Sequence, residues 1–124
     1  MKRFIVIRTQ FQAMHRSPEC PIEEASFLRY PHSHIFHVEV KIPVTHSDRD
    51  KEFIVEKRKL DNFLRLLAGA HKDLGRLSCE DICDKIKEEM GYASMISVFE
   101  DGESGAEVHY YISELTINNT NKKT

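Results

Sequence analysis

Three histidines carry the clearest chemistry in this chain. His32 and His34 stand two residues apart at the head of a long alternating run, and His15 closes an earlier one. In a β-strand, side chains i and i+2 point the same way, roughly 7 Å apart along the chain. Two imidazoles so placed reach one cation. A third, from a neighbouring strand, completes three protein ligands and leaves one position open, as in catalytic rather than structural zinc. Zinc is the first choice for three imidazoles. The plainer alternative is that each His is an ordinary polar residue at a strand end. His37 falls on the opposite face and His46 in a turn, so both read as surface residues.

The elements that must position these rings follow from periodicity. Residues Lys2 to Met14 read as a first strand, with Ile5, Ile7, Thr9, Phe11, Ala13 and then His15 on one parity. Arg16 to Pro31 reads as a long loop broken by Pro18, Pro21 and Pro31. His32 to His46 predicts a second strand, with His32, His34, Phe36, Val38, Val40, Ile42 and Val44 on one face. If the two inner faces form one side of a sheet, all three imidazoles point to that side. A polar turn over Thr45 to Lys51 leads to a helix over Val55 to Ala68, with Leu60, Phe63, Leu64 and Leu67 as its stripe and Gly69 as its stop. A second helix over Cys79 to Met90 is capped by Ser78, and Glu80 and Asp81 favour its first turn. Cys79 and Cys83 lie on its apolar stripe and read as core thiols. Ser94 to Phe99 and Glu107 to Ile117 read as two strands joined by a hairpin loop over Asp101 to Gly105. The expected class is α+β, ββααββ: a four-stranded antiparallel sheet with two helices on one face. Its other face is solvated or meets a partner, and its edges invite pairing between subunits.

Composition narrows the classes. With 124 residues, the chain supports one domain, expected over residues 1–117, with a polar tail over 118–124 that frays. Net charge is −2 and no basic stripe is present, which argues against nucleic-acid binding. The apolar run Phe4 to Ile7 is far shorter than the ~18–20 residues of a membrane span, and it does not make a signal peptide. No lipidation motif stands at either end. The three cysteines lack CxxC spacing, so neither a zinc knuckle nor a disulfide framework is expected. Free thiols fit a cytoplasmic protein.

The pattern Phe11-Gln12-Ala13-Met14-His15, then His32-Ser33-His34 and a long alternating strand, resembles the 6-pyruvoyl-tetrahydropterin synthase family. That family includes the 6-carboxytetrahydropterin synthases of 7-deazaguanine biosynthesis. Ser78-Cys79-Glu80 is similar to the family's Pro-Thr-x-Glu start of helix two, and the stretch around Glu56 to the lead into helix one. Val98-Phe99-Glu100 resembles the strand whose Glu anchors a pterin ring. The resemblance runs over nearly the whole chain in order. It implies the tunnelling fold, with sheet edges joined into barrels, active sites between subunits, and zinc on His15, His32 and His34. It also implies Cys20 as the thiol that moves a side-chain proton, His71 as proton donor or acceptor, and Glu100 as the substrate anchor. Four positions depart from the pattern. Ser33 replaces Gly between the two ligands, and Cys20 lies twelve residues before His32 instead of a few. His71 has no Asp before it, and Asp101 stands where Thr usually follows the Glu. Each of the three also has a plainer reading: Cys20 as an incidental loop residue, His71 as a residue favouring a helix C-terminus, and Glu100 as an ordinary acid before a hairpin.

The activity implied is a zinc-dependent lyase acting on dihydroneopterin triphosphate or a related pterin, in a cytoplasmic homo-oligomer. One alternative is a homologue that has lost this catalysis and binds a purine-like or pterin-like ligand or a protein partner. Another is a small zinc hydrolase acting through metal-bound water.

Overall fold

Period-two alternation builds both long strands. In a computed structural model of the chain, which describes residues 1–111, β1 (Arg3–His15) and β2 (His32–Val44) pair antiparallel along their whole length. The register sets Ile7 opposite Val40, Phe11 opposite Phe36 and His15 opposite His32. The two inner faces therefore form one surface. After β2 come α1 (Phe53–Ala68) and α2 (Cys79–Glu89), then β3 (Met95–Glu100) and β4 (Ser104–His109). The sheet order is β1-β2-β3-β4, antiparallel throughout. The order ββααββ and the α+β class are as the sequence pattern predicts.

Both helices cover the inner face. α1 lies against β1, and α2 against β3 and β4. Phe36, Val38, Val40, Ile42, Ile96 and Val98 from the sheet meet Leu60, Leu64, Ile82, Cys83 and Ile86 from the helices in one core. Each such fully buried side chain stabilises the fold by about 1.5–3 kcal/mol. Cys79 and Cys83 belong to this core, as expected. Glu56 is buried at the start of α1, where the Tyr92 hydroxyl donates to its carboxylate at 2.5 Å and Lys59 approaches at 3.5 Å. Among the described residues no helix is long and apolar enough to cross a membrane.

The start of α2 is fixed by a capping box. The Ser78 hydroxyl accepts from the Asp81 N–H at 3.0 Å, and the Asp81 carboxylate accepts from the Ser78 N–H at 3.1 Å. Ser78→Ala removes one of these bonds and should cost about 1 kcal/mol. The check is a lower urea midpoint with an unchanged slope.

Four stretches differ from the sequence reading by more than one residue. The segment between β1 and β2 is not all loop, since Glu23–Arg29 forms 3₁₀ turns between Pro21 and Pro31. β2 ends at Val44 rather than His46, because Thr45 turns to bond its N–H and hydroxyl to Asp50. α1 starts at Phe53, where exposed Phe53, Ile54 and Val55 resemble a strand in composition but not in structure. β4 occupies Ser104–His109 rather than starting at Glu107. Asp101 and Gly102 both take positive φ (55° and 72°), so the hairpin turns tightly and pairing resumes at Ser104 opposite Glu100. Gly105 follows because a Cβ there would meet the Val98 carbonyl oxygen at 1.9 Å. β4 ends at His109, so Tyr110 and Tyr111 fall outside the strand expected to include them; the rest of that strand, 112–117, and the tail 118–124 lie outside the described residues.

Candidate metal centre

The pairing of His15 with His32 closes one end of the β1–β2 ribbon, and His34 stands one strand step further along β2. Ring centroids are 4.5 Å apart for His15–His32, 5.0 Å for His32–His34 and 5.5 Å for His15–His34. One nitrogen from each ring lies within 4.8 Å of the other two. His15 is buried and the other two are half-buried. Phe36, two residues beyond His34, presents its ring edgewise to both His15 (5.1 Å) and His34 (5.9 Å) and walls the cluster on the core side.

Each ring is held through Nδ1. The partners are the Leu77 carbonyl for His15 at 2.9 Å, the Tyr30 carbonyl for His32 at 2.8 Å, and the Asp101 carboxylate for His34 at 2.7 Å. All three partners accept only, so Nδ1 must donate in every ring. In the neutral imidazole this places a lone pair on each Nε2. All three Nε2 atoms are buried and none has a hydrogen-bond partner. Three buried acceptors facing one another with no donor between them are costly unless a cation or proton joins them. Imidazole nitrogens backed by a carbonyl or carboxylate are the usual form of a transition-metal site. The residues therefore fit a metal ion of the zinc, copper, iron or nickel type.

Asp101 completes this outer ring of contacts. Its second oxygen accepts from the Ile35 N–H at 3.0 Å, and its own N–H donates to the Ile35 carbonyl at 2.7 Å. The Ile35 N–H, followed by the His34 ring, holds its carboxyl below the usual carboxylate range. Asp101→Asn reverses one acceptor and loosens the His34 tautomer. Metal affinity should fall about 10- to 100-fold, as is usual for such partners, measured by competition with a chromophoric chelator.

Glu100 lies beside this cluster, against His15 and His34. β2–β3 pairing sets it opposite Phe36 on the inner face. Its two oxygens lie 3.1 Å from His15 Nε2 and 3.2 Å from His34 Nε2. Despite these distances neither contact is aligned as a hydrogen bond. The Cys79 thiol stands 3.8 Å from the carboxylate, and burial, then Glu100 itself, pushes this thiol up to about 12. The chain matches no protein-family model and no curated protein. The site is thus characterised by its own residues.

A cleft of about 330 Å³ opens beside the cluster. His15, His32 and Glu100 form its floor, and Arg16, Arg76 and Ser78 stand among its other walls. Cys20 is buried elsewhere, with its sulfur 3.9 Å from the Ile22 carbonyl, and it does not line this cleft. His71 is exposed in the turn after α1 and does not line it either. Of the six residues singled out in the sequence, the structure thus brings four together: His15, His32, His34 and Glu100. Sequence reasoning missed Asp101 and the proximity of Cys79. Parity alone hinted at Cys79, since the helix stripe that points to the core also faces the inner side of β3.

Proposed function

We propose that the chain is a zinc-dependent, pterin synthase-like lyase acting on dihydroneopterin triphosphate or a related pterin. The observation that carries this reading is the convergence of three buried Nε2 atoms without a hydrogen-bond partner, two of whose rings, His15 and His32, line an open cleft. The family resemblance supplies the substrate class. His15, His32 and His34 would hold the zinc, which when bound acts as a Lewis acid on substrate hydroxyl oxygens. Leu77, Tyr30 and Asp101 keep the three rings in the metal-binding tautomer. Arg16 and Arg76 offer cationic groups to an anionic substrate; their present partners are Asp73 at 4.0 Å and Glu19 at 3.4 Å, solvent-exposed pairs that cost little to exchange. β1 and β4 are the outer strands of the sheet among the described residues, and the 72–74 segment pairs with β1 only at Met14, which supports a homo-oligomer joined through the sheet edges.

One observation favours a second reading, a homologue without this catalysis that binds a purine-like or pterin-like ligand. Cys20 and His71, the proton-moving pair that the resemblance implies, both lie outside the cleft of the single chain. Metal analysis of the purified protein combined with turnover of dihydroneopterin triphosphate separates the two. About one zinc per chain with release of triphosphate supports the lyase. Zinc without turnover leaves the binding protein and the zinc hydrolase, and absence of any bound transition metal overturns the lyase and the hydrolase.

A further inference from the structure

We propose that segment 16–31 is a strap beside the cleft whose closure and metal binding favour each other. The inference rests on the metal reading above and adds a moving part to that site. The strap leaves β1 after His15 and returns to β2 at His32, so the pairing of two of the three rings holds its ends together. Between those ends it is tied to itself. The Ser17 N–H donates to the Leu28 carbonyl at 2.6 Å, the Tyr30 N–H to the Phe27 carbonyl at 3.3 Å, and Arg29 Nε to the Cys20 carbonyl at 3.1 Å. Its polar ties to the body include the Arg16 N–H on the Gly75 carbonyl at 2.8 Å and the pairs Glu19–Arg76 at 3.4 Å and Arg16–Asp73 at 4.0 Å. Among the described residues none of 16–31 joins the hydrophobic cluster of the sheet and helices, and Ile22, Phe27 and Tyr30 are exposed. A loop with close ends and few buried apolar contacts opens more cheaply than the core unfolds.

Two features of the strap belong to the site. Leu28, with Arg16 and Ser17, stands in the wall of the cleft. The Tyr30 carbonyl accepts from His32 Nδ1 and so sets the tautomer that offers Nε2 to a metal. Tyr30 is placed by its bond to Phe27 and by Pro31, which confines it to the extended conformation it has (φ −104°, ψ 154°). So stiff a last residue transmits a swing of the strap to its own carbonyl. Opening therefore widens the cleft and withdraws the partner of one ligand ring. Loss of such a partner costs about 10- to 100-fold in metal affinity. Coupling between two equilibria is reciprocal, so saturating metal lowers the open fraction of the strap by the same factor.

Chymotrypsin reads the strap directly. Phe27 is exposed within it, whereas Phe36 is completely buried in β2 and is cut only when the fold itself opens. The test follows initial cleavage after Phe27 and after Phe36 by mass spectrometry, in excess chelator and in saturating zinc, with zinc uptake measured separately by chelator competition. Where opening is fast relative to cleavage, the rate follows the open population. In chelator, cleavage after Phe27 should far outpace cleavage after Phe36. Zinc should slow cleavage after Phe27 by about tenfold or more. His34→Ala, at the zinc concentration that saturates wild type, should show no such slowing. Zinc uptake with unchanged cleavage after Phe27 overturns the proposal and leaves the metal site standing. Equal rates after Phe27 and Phe36 in chelator overturn it too, since the strap would then open only with the whole fold. A wild-type protein that takes up no zinc overturns the metal reading and this proposal with it.

Discussion

His34→Ala is expected to reduce zinc affinity by at least about a thousandfold and to abolish the protection that zinc gives against heat. The magnitude follows from the role of the ring. In the proposed site it would supply one of three imidazole ligands, and binding by the remaining two would also leave the Asp101 carboxylate without its donor. A metal that binds only the folded state stabilises it by RT ln(1 + [M]/Kd), about 4 kcal/mol at a thousandfold excess over Kd. For a domain of this size each kcal/mol moves the melting temperature by about 4 °C, so the wild-type protein should gain on the order of 15 °C with zinc. His34→Ala should gain almost nothing at the same zinc concentration. In excess chelator the two should melt within a few degrees of each other, because removing the ring also removes mutual crowding of unpartnered nitrogens. Calorimetry with and without zinc checks this. An equal zinc-dependent shift in wild type and His34→Ala would place the metal elsewhere.

The parts of the site that follow from parity were legible in the chain. His32, His34 and Phe36 must share a face because a strand alternates with period two, and Ile5 to Ala13 put His15 on the matching face. What parity could not provide was register. Sixteen residues separate His15 from His32, and a one-residue slip would have turned one set of rings to solvent. In the register found, Phe11 and Phe36 pair across the ribbon and stack at 5.5 Å. Glu100 is harder still. Its place beside His34 depends on β2 pairing with β3 across both helices, a contact 66 residues apart in sequence whose only local sign is the parity shared with Ile96 and Val98.

Where the reading failed, the residues carried weak or misleading local signals. Ser104, Gly105 and Ala106 enter β4 without the branched or aromatic side chains that mark a strand, so the strand seemed to begin at Glu107. Phe53, Ile54 and Val55 have strand-like composition, yet Glu52 ends the extended segment and its carbonyl accepts the first helical bond, from Glu56. Asp101 stood out in the chain only as a hairpin residue where the family pattern has Thr. Its function depends on a positive φ that turns its carboxylate back to His34, and a side chain's reach around a turn is invisible to periodicity. Cys79 shows the limit in the other direction. A thiol on an apolar helix stripe is a core residue, and here the core reaches the metal cluster, so one position serves both.

Because core and site share residues, a core mutation should act on the metal. Phe36 is completely buried, stacks on Phe11 and meets the rings of His15 and His34 edge-on. Phe36→Ala deletes the ring and leaves a cavity under two of the three proposed ligands. The stability loss should be about 3–5 kcal/mol, a large part of the total for a domain of this size. Phe36→Leu keeps most of the volume and should cost less than about 1.5 kcal/mol if the core repacks. The two substitutions separate filling the core from bracing the site. If Phe36 only fills space, the leucine variant should bind zinc as tightly as wild type. If its edge-on contacts set the direction of the imidazoles, the leucine variant should stay folded and still lose affinity, because a flexible branched chain cannot brace two rings held on opposite sides by the Leu77 carbonyl and the Asp101 carboxylate. The second outcome is expected, with urea unfolding for stability and chelator competition for affinity. Equal zinc affinity in wild type and Phe36→Leu would show that Leu77, Tyr30 and Asp101 alone are enough to aim the three rings.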